Sequence, residues 1–131
     1  MRRILEKIYL KEEFNPKIIG LFLPGYFMAK ELYRNMLNLT PKLGGRLLDI
    51  GCGTKPYEFM CNVDEYIGIE IDDEDRKNHT HADVLYDGKV MPFEDKSFDS
   101  ALSSEVLEHV FNPDTLLKEV NREMKMDGIF L

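Results

Sequence analysis

The sequence predicts an α/β fold with a doubly wound, mainly parallel β-sheet, and three observations lead to this prediction. The apolar run at residues 47–50 leads directly into a glycine turn at residues 51–53. A second apolar run, residues 66–70, ends in Glu70, about 20 positions after the turn begins. A well-delimited helix near residue 113 is followed by a further apolar run. Strands that alternate with helices and glycine turns in this way are typical of a parallel sheet.

The first 44 residues predict an N-terminal helical segment. Residues 1–13 form a short, charged amphipathic pattern, and a second helix is predicted over Tyr26–Leu39, with its apolar residues near one face. Residues 40–45 contain proline and two glycines and predict a loop. We expect residues 45–131 to form the core of a single 131-residue domain.

Five strands are predicted in the core. They cover residues 46–50, 66–71, 81–84 and 100–103, and a fifth begins at residue 129. Residues 56–61 are at most a short helix, and residues 72–78 form a polar turn or short helix. The expected strand order is 3-2-1-4-5, with ligand bound where the order reverses, between strands one and four.

The helix before the fifth strand has the clearest boundary. Asn112 is a suitable N-cap, Pro113 suits the first helical position, and Asp114 favours the helix dipole. We expect Gly128 to supply a left-handed C-cap. The apolar stripe of this helix consists of Leu116, Leu117 and Val120.

Composition excludes several classes of protein. The net charge of −7 argues against an extended nucleic-acid surface. Two cysteines do not make a disulfide framework, and no cysteine joins His79 and His81 at metal-ligand spacing, so no metal is expected. Pro24 and Gly25 interrupt the apolar stretch at residues 18–28, which is too short to span a bilayer. Without a signal-peptide pattern, the expected location is the cytoplasm.

The wording of the glycine turn indicates the type of ligand. A dinucleotide site has the pattern G-x-G-x-x-G, and the third glycine is absent here. Asp49 stands two places before the first glycine. A carboxylate at this place would repel a phosphate and would suit an ammonium group. The turn therefore predicts a nucleoside that carries a cation and an amine, a description that S-adenosylmethionine fits.

From residue 45 to 131 the chain resembles the class I S-adenosylmethionine-dependent methyltransferases of type 11, which have a Rossmann-like fold. Five segments resemble the motifs of this family in the expected order. They are Asp49-Ile50-Gly51-Cys52-Gly53, Glu70, Ala82-Asp83-Val84, the stretch from Met91 to Asp99, and the stretch from Glu105 to Val110. The resemblance implies S-adenosyl-L-methionine as the cofactor.

The resemblance also implies roles for the residues of the first two motifs. Asp49 is expected to accept a hydrogen bond from the loop backbone or the methionine amine. Gly51, Cys52 and Gly53 are expected to form the loop around the methionine and ribose. Glu70 is expected to bind the ribose hydroxyls, with Ile71 beside the adenine. Asp72 is an alternative to Glu70, because it lies two residues further along the same side of a strand.

Later motifs are expected to complete the site. Asp83 would accept a hydrogen bond from the adenine amine, and the backbone of Val84 would contact the ring. Ser104 and Glu105 would meet the methionine end of the cofactor. His109 is either a general base that takes a proton from the acceptor or a residue that has a structural role.

The function implied is methyl transfer to a small molecule, with a sugar or glycan precursor as one candidate acceptor. Two alternatives stay open, a non-catalytic S-adenosylmethionine-binding subunit and a nucleotide-binding or oxidoreductase module. The family usually has seven strands, and this chain supplies four and the start of a fifth. We therefore expect either a chain that is truncated relative to the seven-stranded fold, or a homodimer or second subunit that completes the sheet.

Overall fold

The structure is a computed structural model that describes residues 26–74 and 79–131. The chain divides into two compact units, residues 1–40 and residues 41–131. The helix predicted over residues 1–13 lies outside the described residues, as do residues 75–78 of the predicted polar turn. In the first unit, helix α1 covers Tyr26–Leu39, as predicted. Thr40 donates its hydroxyl proton to the carbonyl of Met36 (2.7 Å), which satisfies a carbonyl in the last turn.

The second unit contains a five-stranded parallel sheet. Its strands are β1 (Arg46–Ile50), β2 (Glu65–Ile71), β3 (Val84–Tyr86), β4 (Phe98–Ser103) and β5 (Met124–Phe130). Their order is β3-β2-β1-β4-β5, and the four pairings are parallel. The predicted fold class and strand order are therefore confirmed. The order reverses between β1 and β4, which is where ligands bind in folds of this type.

Strand β3 lies further along the chain than the sequence predicts. It covers Val84–Tyr86 rather than residues 81–84, and its pairing with β2 begins at Val84, opposite Ile69. The residues before it make other contacts. His81 donates its backbone N–H to the carbonyl of Gly53 (2.8 Å), and the carboxylate of Asp83 accepts from Gly68 N (2.7 Å).

The helix before β5 has the predicted start and a different end. Helix α2 covers Pro113–Glu123, and the side-chain oxygen of Asn112 accepts from Thr115 N (3.3 Å). The prediction that Gly128 caps this helix is wrong. Met124 takes an extended conformation directly after the helix and pairs with Phe98, so β5 begins there and includes Gly128. The pairing of β5 with β4 is irregular near Phe98 and becomes regular at Ser100 and Ala101. The sequence predicts a strand only from residue 129, in the regular part of the ladder.

The main core lies between one face of the sheet and α2. Leu116 and Val120 are buried there, whereas Leu117, predicted on the same stripe, is 39% exposed. The phenyl rings of Phe93 and Phe98 pack edge to face with their centroids 5.0 Å apart. The buried cluster consists of Leu48, Ile50, Ile69, Met91, Phe98, Ala101, Leu116 and Val120.

A buried carboxylate ends α2. Glu123 is 1% exposed, and one of its oxygens accepts from the guanidinium of Arg122 (2.8 Å). Its other oxygen has no hydrogen-bond partner among the described residues. Burial raises the pKa of Glu123 to about 7, and the pairing with Arg122 offsets only part of that effect.

Candidate functional site

A cavity of about 640 Å³ opens at the carboxyl edge of the sheet. Its wall is built from the ends of β1 and β2, the loops that follow β3 and β4, and the first turn of α2. Five of the predicted site residues line it, namely Gly51, Glu70, Ile71, Glu105 and His109. The cavity thus lies at the point where the strand order reverses.

Gly51 brings the end of β1 against the loop after β4. Its φ of +67° lies in the left-handed region that favours glycine. A Cβ atom at this position would lie 2.5 Å from Cγ2 of Val106, so even alanine would collide with that side chain. The backbone N–H of Gly51 donates to the carbonyl of Ile69 (2.9 Å), which ties the turn to β2.

The carboxylate of Glu70 is held in place by backbone groups. The residue is 6% exposed, and its Oε2 accepts from the N–H of Gly53 (3.3 Å) while Oε1 accepts from its neighbour Ile71 (3.1 Å). Each carboxylate oxygen can accept more than one hydrogen bond. Glu70 therefore presents an oriented acceptor at the cavity wall, next to the partly exposed side chain of Ile71.

The loop after β3 forms a part of the wall that sequence reasoning missed. Asp87 follows β3 directly, and Gly88, Lys89 and Val90 line the cavity. Gly88 has a φ of +78°, and the side chain of Val90 is 65% exposed. The Asp87-Gly88 pair is a turn signal that could have identified this loop. The predicted range of β3, residues 81–84, placed Asp83 near the end of the strand instead.

The loop after β4 carries a carboxylate and an imidazole that line the cavity. Glu105 has a φ of +57°, which is strained for a residue other than glycine, and such residues occur often at functional sites. His109 ends the short 3-10 helix Leu107–His109, and its side chain is exposed at the cavity. Phe111 is fully exposed beside it. The mouth therefore combines an imidazole, a carboxylate and a large apolar surface.

Asp49 does not line the cavity, although it belongs to the glycine motif. It is 5% exposed and accepts a hydrogen bond from the hydroxyl of Tyr66 (2.6 Å). Burial raises the pKa of Asp49 to about 6, and the hydrogen bond from Tyr66 and the nearby Lys55 oppose that shift. Burial also raises the pKa of Tyr66 well above its usual value.

Asp83 is likewise absent from the cavity wall. Its Oδ2 accepts from Nζ of Lys55 (2.5 Å) and from the backbone N–H of Gly68 (2.7 Å). Cys52 is 2% exposed, and burial raises the pKa of its thiol to about 11, so it is not a nucleophile at neutral pH.

The structure thus divides the predicted cofactor residues into two groups. Four of the ten, Gly51, Glu70, Ile71 and Glu105, lie on the cavity wall, and Gly53 reaches it through its hydrogen bond to Glu70. The residues that are not part of the wall are Asp49, Cys52, Gly53, Asp83, Val84 and Ser104. No contact with a ligand has been tested for either group, so these roles remain predictions.

In the described part of the chain, no cluster of His, Cys, Asp or Glu could hold a metal ion. The same residues contain no helix long and apolar enough to cross a membrane.

Comparison with known proteins defines the class. The family model for the methyltransferase domain matches residues 48–131, which include the four strand ends and loops that form the cavity. The chain therefore belongs to the methyltransferase domain family. Its class is that of the S-adenosyl-L-methionine-dependent methyltransferases, and S-adenosyl-L-methionine is the cofactor that this class uses.

Individual relatives are longer than this chain. The uncharacterized protein MJ1252 of Methanocaldococcus jannaschii is 36% identical over 102 residues, which are 75% of this chain and 40% of that protein. A Thermotoga maritima S-adenosylmethionine-dependent methyltransferase, described as a possible histamine N-methyltransferase, aligns with a TM-score of 0.59 at 23% identity. That alignment covers 98% of this chain and 59% of the Thermotoga chain.

A second similar structure is the complex between the Haloferax volcanii Trm112 methyltransferase activator and a methyltransferase. It aligns with a TM-score of 0.59 at 20% identity, over 75% of this chain and 49% of that chain. Both structural alignments show the shared fold. The chain spans about 40% of the length of the curated relatives that it matches.

The residues at the cavity fit this cofactor. Glu70 offers a hydrogen-bond acceptor suited to a ribose diol, and Gly51 lines the wall near it. Ile71 and Val90 provide apolar surface suited to a purine ring. Two carboxylates, Glu70 and Glu105, and one ammonium group, that of Lys89, line the wall, and the net negative charge suits a cationic ligand better than a pyrophosphate.

Proposed function

We propose that the cavity at the carboxyl edge of the sheet binds S-adenosyl-L-methionine and that the chain takes part in methyl transfer to a small-molecule hydroxyl group. A sugar or glycan precursor is the first acceptor class to test, because the glycine-loop wording resembles methyltransferases of that kind. The observation that carries the proposal is the buried Glu70 carboxylate, which the N–H of Gly53 orients at the cavity wall.

Within this proposal, Glu70 accepts hydrogen bonds from the ribose hydroxyls, and Ile71 packs beside the adenine. Val90, from the loop after β3, packs on the same part of the ligand. Asp49 and Asp83 are assigned no direct contact, because other residues of the chain hold both carboxylates away from the cavity. The backbone around Gly51 and Glu105 faces the methionine end.

When bound, the cofactor supplies an electrophilic methyl group on a sulfonium. The chain contributes alignment of that group with the acceptor and exclusion of water. For a hydroxyl acceptor, a proton must leave as the new carbon–oxygen bond forms. His109 lies at the cavity mouth and is the candidate proton acceptor, with positioning of the acceptor as the alternative role.

Two experiments test this function. Calorimetry with S-adenosylhomocysteine, NAD and ATP should give binding of the first ligand only, and binding of NAD alone would favour the oxidoreductase alternative. A methyl-transfer assay over sugar acceptors should then compare wild type with His109→Gln. If His109 is the base, the variant loses turnover and keeps cofactor affinity, whereas unchanged turnover would remove the histidine from the mechanism.

A non-catalytic or partner-dependent role is the second candidate. The Haloferax volcanii neighbour is in complex with an activator protein. In this chain β5 is the last strand in the order of the sheet, and it exposes the apolar side chains of Met126, Ile129 and Phe130. A second copy of this chain or an activator would cover them. Light scattering would show a dimer, and robust turnover by a monomer would exclude this candidate.

A further inference from the structure

A group of contacts on the side of the glycine loop away from the cavity ties the loop to the segment before β3. Lys55 donates to Asp83 Oδ2 (2.5 Å), and the same oxygen accepts from the N–H of Gly68 (2.7 Å). The side chain of Lys55 is only 9% exposed, and its Nζ lies 5.7 Å from the centroid of the Tyr66 ring. Neither Lys55 nor Asp83 lines the cavity.

The backbone of Lys55 has a strained conformation. Its φ is +54°, in the left-handed region that residues other than glycine rarely adopt. Such a conformation persists where the surrounding contacts determine it. The ion pair with Asp83 is the contact that holds the side chain of Lys55 in this position, and Gly68 provides the space. A Cβ atom at Gly68 would lie 2.6 Å from Cε of Lys55.

The same segment holds the middle of the loop. The carbonyl of Gly53 accepts from the backbone N–H of His81 (2.8 Å) and from the hydroxyl of Thr80 (3.0 Å). On its other side, the N–H of Gly53 donates to Glu70 Oε2 (3.3 Å). The link from the Lys55–Asp83 pair to the cavity wall therefore runs along the chain from Asp83 back to His81 and Thr80, and from them through the Gly53 backbone to the Glu70 carboxylate.

From this connection we infer that Lys55 and Asp83 are positioning residues, which fix the glycine loop and through it the Glu70 carboxylate for cofactor binding. The inference rests on the proposed cofactor site. It gives Asp83 a role that differs from the direct adenine contact predicted from the sequence. It also assigns a role to Lys55, which no motif in the sequence had singled out.

A double-mutant cycle on S-adenosylhomocysteine affinity tests the inference. Lys55→Met, Asp83→Asn and the double variant should each weaken binding about tenfold, within the range usual for coupling between separate positions. Because both singles break the same pair, the double variant should be no weaker than either single. Asp83 is half-exposed, so Asp83→Asn provides the test if Lys55→Met fails to fold.

A matched control is available in the same unit. Lys125 donates to Asp99 (2.6 Å), and neither residue lines the cavity, so Lys125→Met removes an ion pair of similar length, though a more exposed one, away from the loop. This variant should keep wild-type affinity. Affinity is measured at a temperature where every variant is folded, so that a general loss of stability does not alter the result. Wild-type affinity in both Lys55→Met and Asp83→Asn would overturn the inference.

Amide hydrogen exchange of the ligand-free chain separates this inference from the proposed function. The N–H of Gly53 should exchange faster in Lys55→Met and Asp83→Asn than in wild type, whereas the N–H of Ser103, bonded to Leu131 O (2.9 Å), should not change. An unchanged exchange rate at the N–H of Gly53 in both variants would overturn the inferred positioning role of Lys55 and Asp83. If wild type does not bind S-adenosylhomocysteine, the proposed function fails, and the exchange measurement still decides the inference.

Discussion

Replacing Glu70 by glutamine is the sharpest test of the cavity, because it keeps the side-chain shape and removes the charge. In wild type, each oxygen of the carboxylate accepts one backbone N–H, from Gly53 and from Ile71. A carboxylate oxygen can accept more than one hydrogen bond, so the two hydroxyls of a ribose diol can donate to the same group. An amide nitrogen in place of one oxygen can accept neither bond.

The expected loss follows from the strength of hydrogen bonds to a charged group. Removal of the charge-assisted pair costs about 1.5–3 kcal/mol. At 1.4 kcal/mol for each factor of ten, the dissociation constant for S-adenosylhomocysteine should rise roughly 10- to 150-fold. Glu70→Gln should also lose about 1 kcal/mol of stability, since the N–H of Gly53 then faces a donor.

The assay is isothermal titration calorimetry on wild type, Glu70→Gln and Asp72→Asn. Asp72 is the matched control, because it is the exposed acid two residues further along that competes for the same role. It should show an effect of less than about threefold, as expected for a surface carboxylate. A larger effect for Asp72→Asn than for Glu70→Gln would refute the assignment of the ribose site.

Three further predictions concern stability, each measured by urea denaturation. Because burial raises the pKa of Glu123 from 4.5 to about 7, its stability contribution is full below pH 4.5 and is lost as pH rises through 7. Between pH 4.5 and 8 wild type should lose about 3 kcal/mol more than Glu123→Gln, and parallel pH profiles would contradict this. Asn112→Ala should cost about 1 kcal/mol by leaving the N–H of Thr115 without its cap, and no loss would show that the cap is dispensable. Gly51→Ala should cost at least about 1 kcal/mol in wild type and less in a Val106→Ala background, whereas additive losses would exclude the collision.

The strand order and the location of the cavity were predictable from the sequence because each rests on strong local patterns. The buried run before Gly51 and the run that ends near Glu70 have the hydrophobicity and spacing of adjacent parallel strands. Asn112 and Pro113 fixed the start of α2 for the same reason, since capping chemistry is local.

The predictions from the sequence were wrong where a feature depends on long-range contacts. Polar and apolar residues alternate over residues 81–83, as they do in a short strand. In the structure, however, His81 and Asp83 bond to Gly53 and Gly68 and do not pair as a strand. Gly128 follows a helical pattern closely enough to suggest a cap. Pairing of Met124 with Phe98 ends the helix earlier and extends the chain into β5.

Position along the strands explains why only part of the predicted site lies at the cavity. Ile50 and Glu70 stand near the carboxyl ends of their strands and line the cavity. Asp49 lies opposite Gly68, two residues before Glu70 in the ladder, and bonds to Tyr66 further back along β2. The sequence indicated which segments meet at the carboxyl edge. The distance of each carboxylate from that edge follows from the strand register, which the structure supplies.

A crystal structure of the chain with S-adenosylhomocysteine tests the central claim most directly. The account predicts that the ribose hydroxyls lie within hydrogen-bond distance of the Glu70 carboxylate and that the adenine packs between Ile71 and Val90. It also predicts that Asp83 stays bonded to Lys55. A ligand whose adenine amine contacts Asp83, or one whose polar groups bond to the Asp49 carboxylate, would contradict it.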